Sequence, residues 1–97
     1  MEKIVTLITI PGCKIWKRGK NFFAVIDVKY EKYIKNVGKC RVVVNGLAIP
    51  TKSRILYDNS SKKYVIKLPA LHDELWEKLW RDGKTVDIVI ETSIQVL

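Results

Sequence analysis

Short runs of β-branched and aromatic residues, separated by turn-forming residues, fill most of this 97-residue chain. The clearest turn is Asn45-Gly46, which lies between the apolar runs 41–44 and 47–57. Asn-Gly is the dipeptide that two-residue hairpin turns prefer, so these runs are expected to pair as antiparallel strands. Pro50 lies in the second run and lacks a backbone donor, which predicts an edge, a bulge or a break at that position.

Other segments have the same β-type composition, with aromatic or β-branched residues and alternating polarity. Pro11-Gly12 is expected to end the first of them, and the polar turn 58–61 to separate two others. The further strands are predicted at residues 3–10, 13–20, 22–28, 63–68 and 85–91.

Two segments have helical rather than β periodicity. The stronger one, at about 71–81, has acidic residues near its start and Arg81 at its end, which complement the helix dipole. A short amphipathic helix is predicted at about 29–37, with Gly38 as its C-terminal cap. The longer helix has a wide apolar stripe expected to face the core, formed by Leu71, Leu75, Trp76, Leu79 and Trp80.

Together these elements predict a mainly β (β-rich α+β) fold in a single domain, residues 1–97. We expect a small six- to seven-stranded β-barrel, double-split or closed, with the longer helix at one end. A content of 47% hydrophobic and 29% charged residues is typical of a globular chain. The N-terminus lacks a signal-peptide pattern and the apolar runs are too short to cross a bilayer, so a cytoplasmic location is expected.

The order of these segments resembles the DUF1905 family of small β-barrel domains of unknown function. The matching motifs are RVVVNGLAI at 41–49, KYVIKLP at 63–69 and DGKTVDIVIE at 82–91, within a resemblance that covers about residues 22–91. That family is similar in fold to the AbrB-like double-split barrels. This chain has 58–63 in place of a glycine-rich loop, and Asp82-Gly83 in place of Gly-Asp. The resemblance implies a fold and no catalytic residues.

Positive charge is concentrated in residues 1–67, which hold 15 Lys/Arg against 4 Asp/Glu, whereas residues 68–97 hold 3 against 6. The whole chain has a net charge of +8. A basic surplus interleaved with aromatic residues favours a nucleic-acid partner, since lysines bind phosphates and aromatic rings stack on bases. The predicted binding residues are Lys14, Trp16, Lys17, Arg18, Lys20, Lys52 and Arg54.

Within this set, Lys52 and Arg54 are two residues apart and are expected on one face of a strand, where they could follow a phosphate backbone. Trp16 lies among four basic residues, and the sequence leaves open whether it is an exposed stacking platform or part of the core. The function predicted is non-specific nucleic-acid binding, mainly through phosphate contacts.

Other interpretations stay open, among them an acidic protein partner for the basic residues and a small-molecule-binding barrel or enzyme, although the barrel interior is expected to be filled by apolar side chains. The lysines could form a solvated surface without a partner, as in charged thermostable proteins. Alternatively, the chain could be a protein-interaction or regulatory module that forms a homodimer by strand pairing. An edge strand containing Pro50 and the apolar tail of Ile94, Val96 and Leu97 favour that alternative.

The residues that could act in catalysis or bind a metal predict neither an enzyme nor a metal site. His72 precedes Asp73 and Glu74, but adjacent residues on a helix do not face each other. One histidine and two cysteines 27 positions apart fit no metal-ligand spacing, so no metal and no cofactor are expected. Cys13 and Cys40 are expected to be free thiols, with a disulfide between them as the alternative.

Overall fold

The computed structural model describes the backbone of residues 2–35 and 37–96, and the side chains of residues 4–35 and 37–93. The strands are β1 (Glu2–Cys13), β2 (Ile15–Arg18), β3 (Asn21–Ile26), β4 (Val37–Val44), β5 (Leu47–Thr51), β6 (Ile55–Asp58), β7 (Lys63–Lys67) and β8 (Val86–Val96). The helices are α1 (Glu31–Ile34) and α2 (Asp73–Arg81), each preceded by a 3₁₀ turn, at Val28–Tyr30 and Ala70–His72. Within the described residues, neither helix has the length and hydropathy needed to cross a membrane.

The strands form two antiparallel sheets of four strands each. The first sheet has the order β1-β8-β4-β5 and the second the order β2-β3-β7-β6. Only Lys14 separates β1 from β2, and its carbonyl accepts a hydrogen bond from the Val25 amide at 2.9 Å, so the chain passes directly from one sheet to the other. The prediction of a mainly β fold is confirmed. In the described part of the chain the strands number eight rather than six or seven, and the two sheets are not closed into a barrel.

The core lies between the two sheets and is covered by α2. Trp76 is completely buried, and its indole nitrogen donates to the Pro69 carbonyl at 2.8 Å. The prediction that the whole apolar stripe faces the core is wrong at two positions, because Leu71 is 88% and Trp80 41% exposed. Leu71 belongs to the 3₁₀ turn before α2, whose three-residue period moves it off the helical stripe.

The hairpin prediction is confirmed. Asn45 and Gly46 have φ of 50° and 78°, the left-handed values that a type I′ turn requires of both central residues. Pro50 lies on β5, which is an edge strand of the first sheet, as its missing donor predicts.

The stop predicted at Pro11-Gly12 is wrong. β1 continues to Cys13, and its register with β8 shifts between Ile10 and Cys13. Gly12 adopts a φ of 64° and donates its amide to the Asp87 carboxylate at 3.0 Å, so a local irregularity accommodates both residues within the strand.

The short helix ends earlier than predicted, and Gly38 does not cap it. α1 ends at Ile34, and β4 already begins at Val37, which pairs with Thr92 of β8. The apolar spacing that predicted one helix at 29–37 comes from α1 and the start of β4 together, because both pack against the core.

Both cysteines are free and buried. Burial raises the pKa of Cys40, and burial together with the negative charge of Asp87 raises the pKa of Cys13 to about 11. Because the thiolate is the reactive form, we expect neither thiol to react with Ellman's reagent in the folded protein at pH 8. Both should react after unfolding without reductant. Fewer than two thiols in the unfolded chain would instead reveal a disulfide.

Candidate functional site

Basic and aromatic side chains share the outward face of the second sheet. Ile15 points into the core, so its neighbours on either side in sequence point outward. Trp16 lies directly opposite Phe23, and Phe23 lies opposite Lys67 on the next strand. Directly opposed residues point to the same side of a sheet. This surface, the basic–aromatic face, consists of Lys14, Trp16, Arg18, Phe23, Lys63 and Lys67.

A small apolar floor lies beneath these side chains. Val25 and Val65 are paired partners with 9% and 6% exposure, although they point away from the main core. Long side chains can cover apolar surface with their methylene stems while their charged ends stay in water. The basic–aromatic face is therefore a packed surface with its charges at the outside, next to Leu56, which is 60% exposed.

Arg18 lies across this face. Its guanidinium is 5.2 Å from the Trp16 ring centre and 5.9 Å from that of Phe23, and its Nη2 donates to an Asp58 carboxylate oxygen at 2.9 Å. Arg18 is on one edge strand and Asp58 is on the other, at the opposite end of the sheet. The strands of a sheet twist relative to one another, so two diagonal corners of this sheet rise out of its mean plane on the same side. Arg18 and Asp58 lie at two such corners and can therefore reach each other across the face.

Asp58 is held in its charged form. The Arg18 guanidinium first, and then the Ser61 and Ser60 hydroxyls, hold the pKa of Asp58 at about 2, below the ordinary 3.8. Its charge therefore offsets that of Arg18 at neutral pH. The positive surplus of the face comes from lysines, since within the described residues Lys14 and Lys67 form no ion pair. The third lysine, Lys63, has a long contact with Asp27 at 4.0 Å.

Lys17 does not belong to this face. It points to the opposite side of the second sheet and forms an ion pair with Glu77 of α2 at 3.0 Å. Its ammonium also lies 5.1 Å from the Trp80 ring centre and 5.5 Å from that of Phe22. Lys17 lowers the pKa of Glu77, so its charge is used to hold the β2–β3 hairpin against the helix. Lys20, at the tip of this hairpin, lines the same side.

The strand prediction for Lys52 and Arg54 is wrong. Both lie in the segment between β5 and β6, where the chain leaves the first sheet for the second. Lys52 and Lys67 line one open groove of about 500 Å³ with apolar walls that include Leu68 and Leu71. Lys67 therefore connects this groove to the basic–aromatic face.

Of the seven predicted residues, the second sheet brings together Lys14, Trp16 and Arg18. Trp16 is half-buried, with Arg18 against its ring. Phe23 and Lys67 were not among the predicted site residues. Strand alternation places Phe22 and Phe23 on opposite faces, but only the strand pairing shows that Trp16, Phe23 and Lys67 form one row.

No three His, Cys, Asp or Glu side chains in the described part of the chain are grouped to hold a metal ion. Comparison of the chain with protein-family models, with curated proteins and with solved structures finds no match in any of the three. The resemblance to the DUF1905 family therefore stays a prediction.

Proposed function

We propose that this protein is a non-catalytic nucleic-acid-binding protein whose binding surface is the basic–aromatic face. One observation carries the proposal: three lysines, two aromatic rings and a guanidinium that lies close to both rings share the outward face of one sheet. The kinship with AbrB-like barrels implied by the resemblance to DUF1905 is part of the same proposal.

The chemistry of the face favours contacts with phosphates over base-specific readout. Lysine ammonium groups bind phosphates as point charges, and Lys14, Lys63 and Lys67 supply three of them on one surface. Trp16 and Phe23 supply aromatic rings for stacking with a base, and the Arg18 guanidinium lies beside both rings. Unpaired bases can reach such a surface, so single strands should bind more tightly than duplexes.

The distribution of charge around the second sheet also favours binding of a polyanion at the basic–aromatic face. α2 packs against the side of β2 and β3 opposite the basic–aromatic face. The exposed residues of the helix and of the turn after it carry charges of both signs, namely Glu74, Lys78, Arg81, Asp82 and Lys84. A polyanion approaching the molecule would therefore meet mixed charges at the helix and an excess of lysines at the basic–aromatic face.

A salt titration of oligonucleotide binding tests the proposal. We expect a fluorescently labelled single-stranded 20-mer to bind at low salt, with log Kobs falling against log salt at a slope of about −2 to −3, because each phosphate contact on a single strand contributes about −0.7. A duplex of the same length should bind more weakly. Absence of binding at about 20 mM salt, where electrostatic attraction is strongest, would refute the proposal.

The uncharged segment 4–10 of β1, at an outer edge of the first sheet, supports a second candidate function, a protein-interaction module. It lies on the first sheet, whereas the basic–aromatic face lies on the second, so the two functions do not exclude each other. The apolar tail that first suggested such a module lies outside the described side chains.

A further inference from the structure

The outer edge of β1 differs from the other three sheet edges. The edge strands are β1 and β5 in the first sheet and β2 and β6 in the second. β2 carries Lys17 and Arg18, β5 contains Pro50, and β6 has four residues. Charge, proline and short length are the features by which proteins keep sheet edges from pairing with other chains. Residues 4–10 of β1 pair continuously with β8 and include neither a charged residue nor a proline.

This edge also exposes apolar side chains. Ile4, Val5 and Leu7 are 51%, 60% and 63% exposed. β4 pairs with β8 only as far as Thr92, so residues 2–5 and 93–96 form a ribbon without a third paired strand in the described part of the chain. A two-stranded ribbon is marginally stable in water, which makes an additional strand at this edge favourable.

We propose that the β1 edge pairs antiparallel with the β1 edge of a second copy, giving a homodimer with one continuous eight-stranded sheet. This inference rests on the second candidate function, since both use the β1 edge, and is independent of nucleic-acid binding, because the basic–aromatic face belongs to the other sheet. The pairing adds main-chain hydrogen bonds along an edge at which no described strand of the single chain pairs.

The sequence of β1 is complementary to itself in one register. A twofold axis normal to the sheet through Thr6 places Val5 of each copy opposite Leu7 of the other. Val5 and Leu7 lie two residues apart and so share the outward face of the sheet. The pairing joins them into one apolar cluster of four side chains, two from each copy. Such a twofold, isologous contact is the commonest symmetry of homo-oligomers.

The lack of charged side chains in residues 4–10 favours a second copy at this site over an acidic or basic partner. Each chain carries +8, so two copies repel each other over most of their surfaces. The 4–10 segment of β1 is uncharged and offers a charged partner no ion pair. It is a place where two copies can approach without bringing side-chain charges together.

Three exposed leucines of nearly equal exposure provide matched variants for the test. Leu7 is on β1 (63%), Leu47 on β5 (61%) and Leu56 on β6 (60%), so each reports on a different sheet edge. We expect sedimentation equilibrium of the full chain to give twice the mass of one chain. Leu7→Lys should raise the dimer Kd by about 100-fold, because like charges enter the interface from both copies, while Leu47→Lys and Leu56→Lys leave it unchanged.

A monomeric wild-type chain up to millimolar concentration would overturn the proposal. A dimer that is insensitive to Leu7→Lys, or that dissociates with Leu47→Lys or Leu56→Lys, would also overturn it by assigning the contact to another surface. Because all three leucines are already exposed, circular dichroism is expected to show an unchanged fold in each variant. Failure of the oligonucleotide titration would leave the dimer measurement unaffected, so the two proposals are tested separately.

Cross-linking tests the register. Opposed Cα atoms in an antiparallel pair lie about 4.5–5.5 Å apart, within the range of about 4.4–6.8 Å that a disulfide spans. Thr6→Cys should therefore form a covalent dimer with diamide, which accepts the two electrons and two protons released by the thiols. Thr9→Cys should not, because the two Thr9 positions would lie about 20 Å apart along the strands. Equal cross-linking of both variants would contradict this register.

Discussion

Replacement of Trp76 by alanine is expected to lower the free energy of unfolding by about 3–5 kcal/mol. Trp76 is completely buried between α2 and the inner faces of the sheets, and alanine would leave a large cavity there. Such a loss is a large part of the roughly 5–15 kcal/mol that stabilises a typical domain. For a chain of this size it corresponds to a fall in Tm of roughly 25 °C, measurable by thermal denaturation followed by circular dichroism.

Trp80→Ala is the matched control, on the same helix one turn later. Trp80 is 41% exposed and makes an edge contact with Phe22 at 6.5 Å, so its loss should cost about a third as much. The effect of Trp76→Phe should lie between these two, because phenylalanine keeps a ring in the core but removes the indole donor and leaves the Pro69 carbonyl with the His72 amide alone. Equal effects of Trp76→Ala and Trp80→Ala would show that the helix packs differently from the structure.

Reversal of two charges on the basic–aromatic face is expected to weaken single-strand binding by about 50-fold at about 50 mM salt. The double variant Lys14→Glu/Lys67→Glu removes two phosphate contacts, so the slope of log Kobs against log salt should become shallower by about 1.4. Both lysines are exposed and form no ion pair with described residues, so the fold should be retained.

Lys78→Glu/Lys84→Glu is the control for total charge. Both lysines are exposed and line a groove between α2 and the first sheet, away from the basic–aromatic face. Each double variant lowers the net charge by four, from +8 to +4, so general electrostatic attraction falls equally. Equal loss of binding in the two double variants would mean that total charge, rather than this face, governs the interaction.

Local sequence was sufficient where a short-range rule decides the conformation. Asn45-Gly46 forms the predicted turn because its two left-handed φ angles are set by adjacent residues. Pro50 occupies an edge strand because proline lacks a backbone donor and would interrupt the hydrogen-bond ladder of an inner strand. α2 starts two residues later than predicted, at Asp73, because a 3₁₀ turn and the first helical turn have similar local composition.

Errors arose where long-range pairing overrides local preference. Pro11 and Gly12 remain within β1 because β1 pairs with β8 both before the irregularity, at Ile10, and after it, at Cys13. Val37 and Gly38 form a strand rather than a helix end because β8 offers them a partner. The predicted barrel required edge strands to meet, and the two sheets instead stay separate with α2 covering the core between them.

The sequence by itself determined the mainly β class, the type I′ hairpin, the amphipathic α2 and the basic surplus of residues 1–67, because each depends on residue type or near-neighbour spacing. Only the tertiary structure decided which charges act together. The Trp16–Phe23–Lys67 row joins three strands that are adjacent in space but not all consecutive in sequence. The same pairing separated Lys17 from Arg18, since neighbouring residues of a strand point to opposite faces. Lys17 therefore pairs with Glu77, and Arg18 pairs with Asp58.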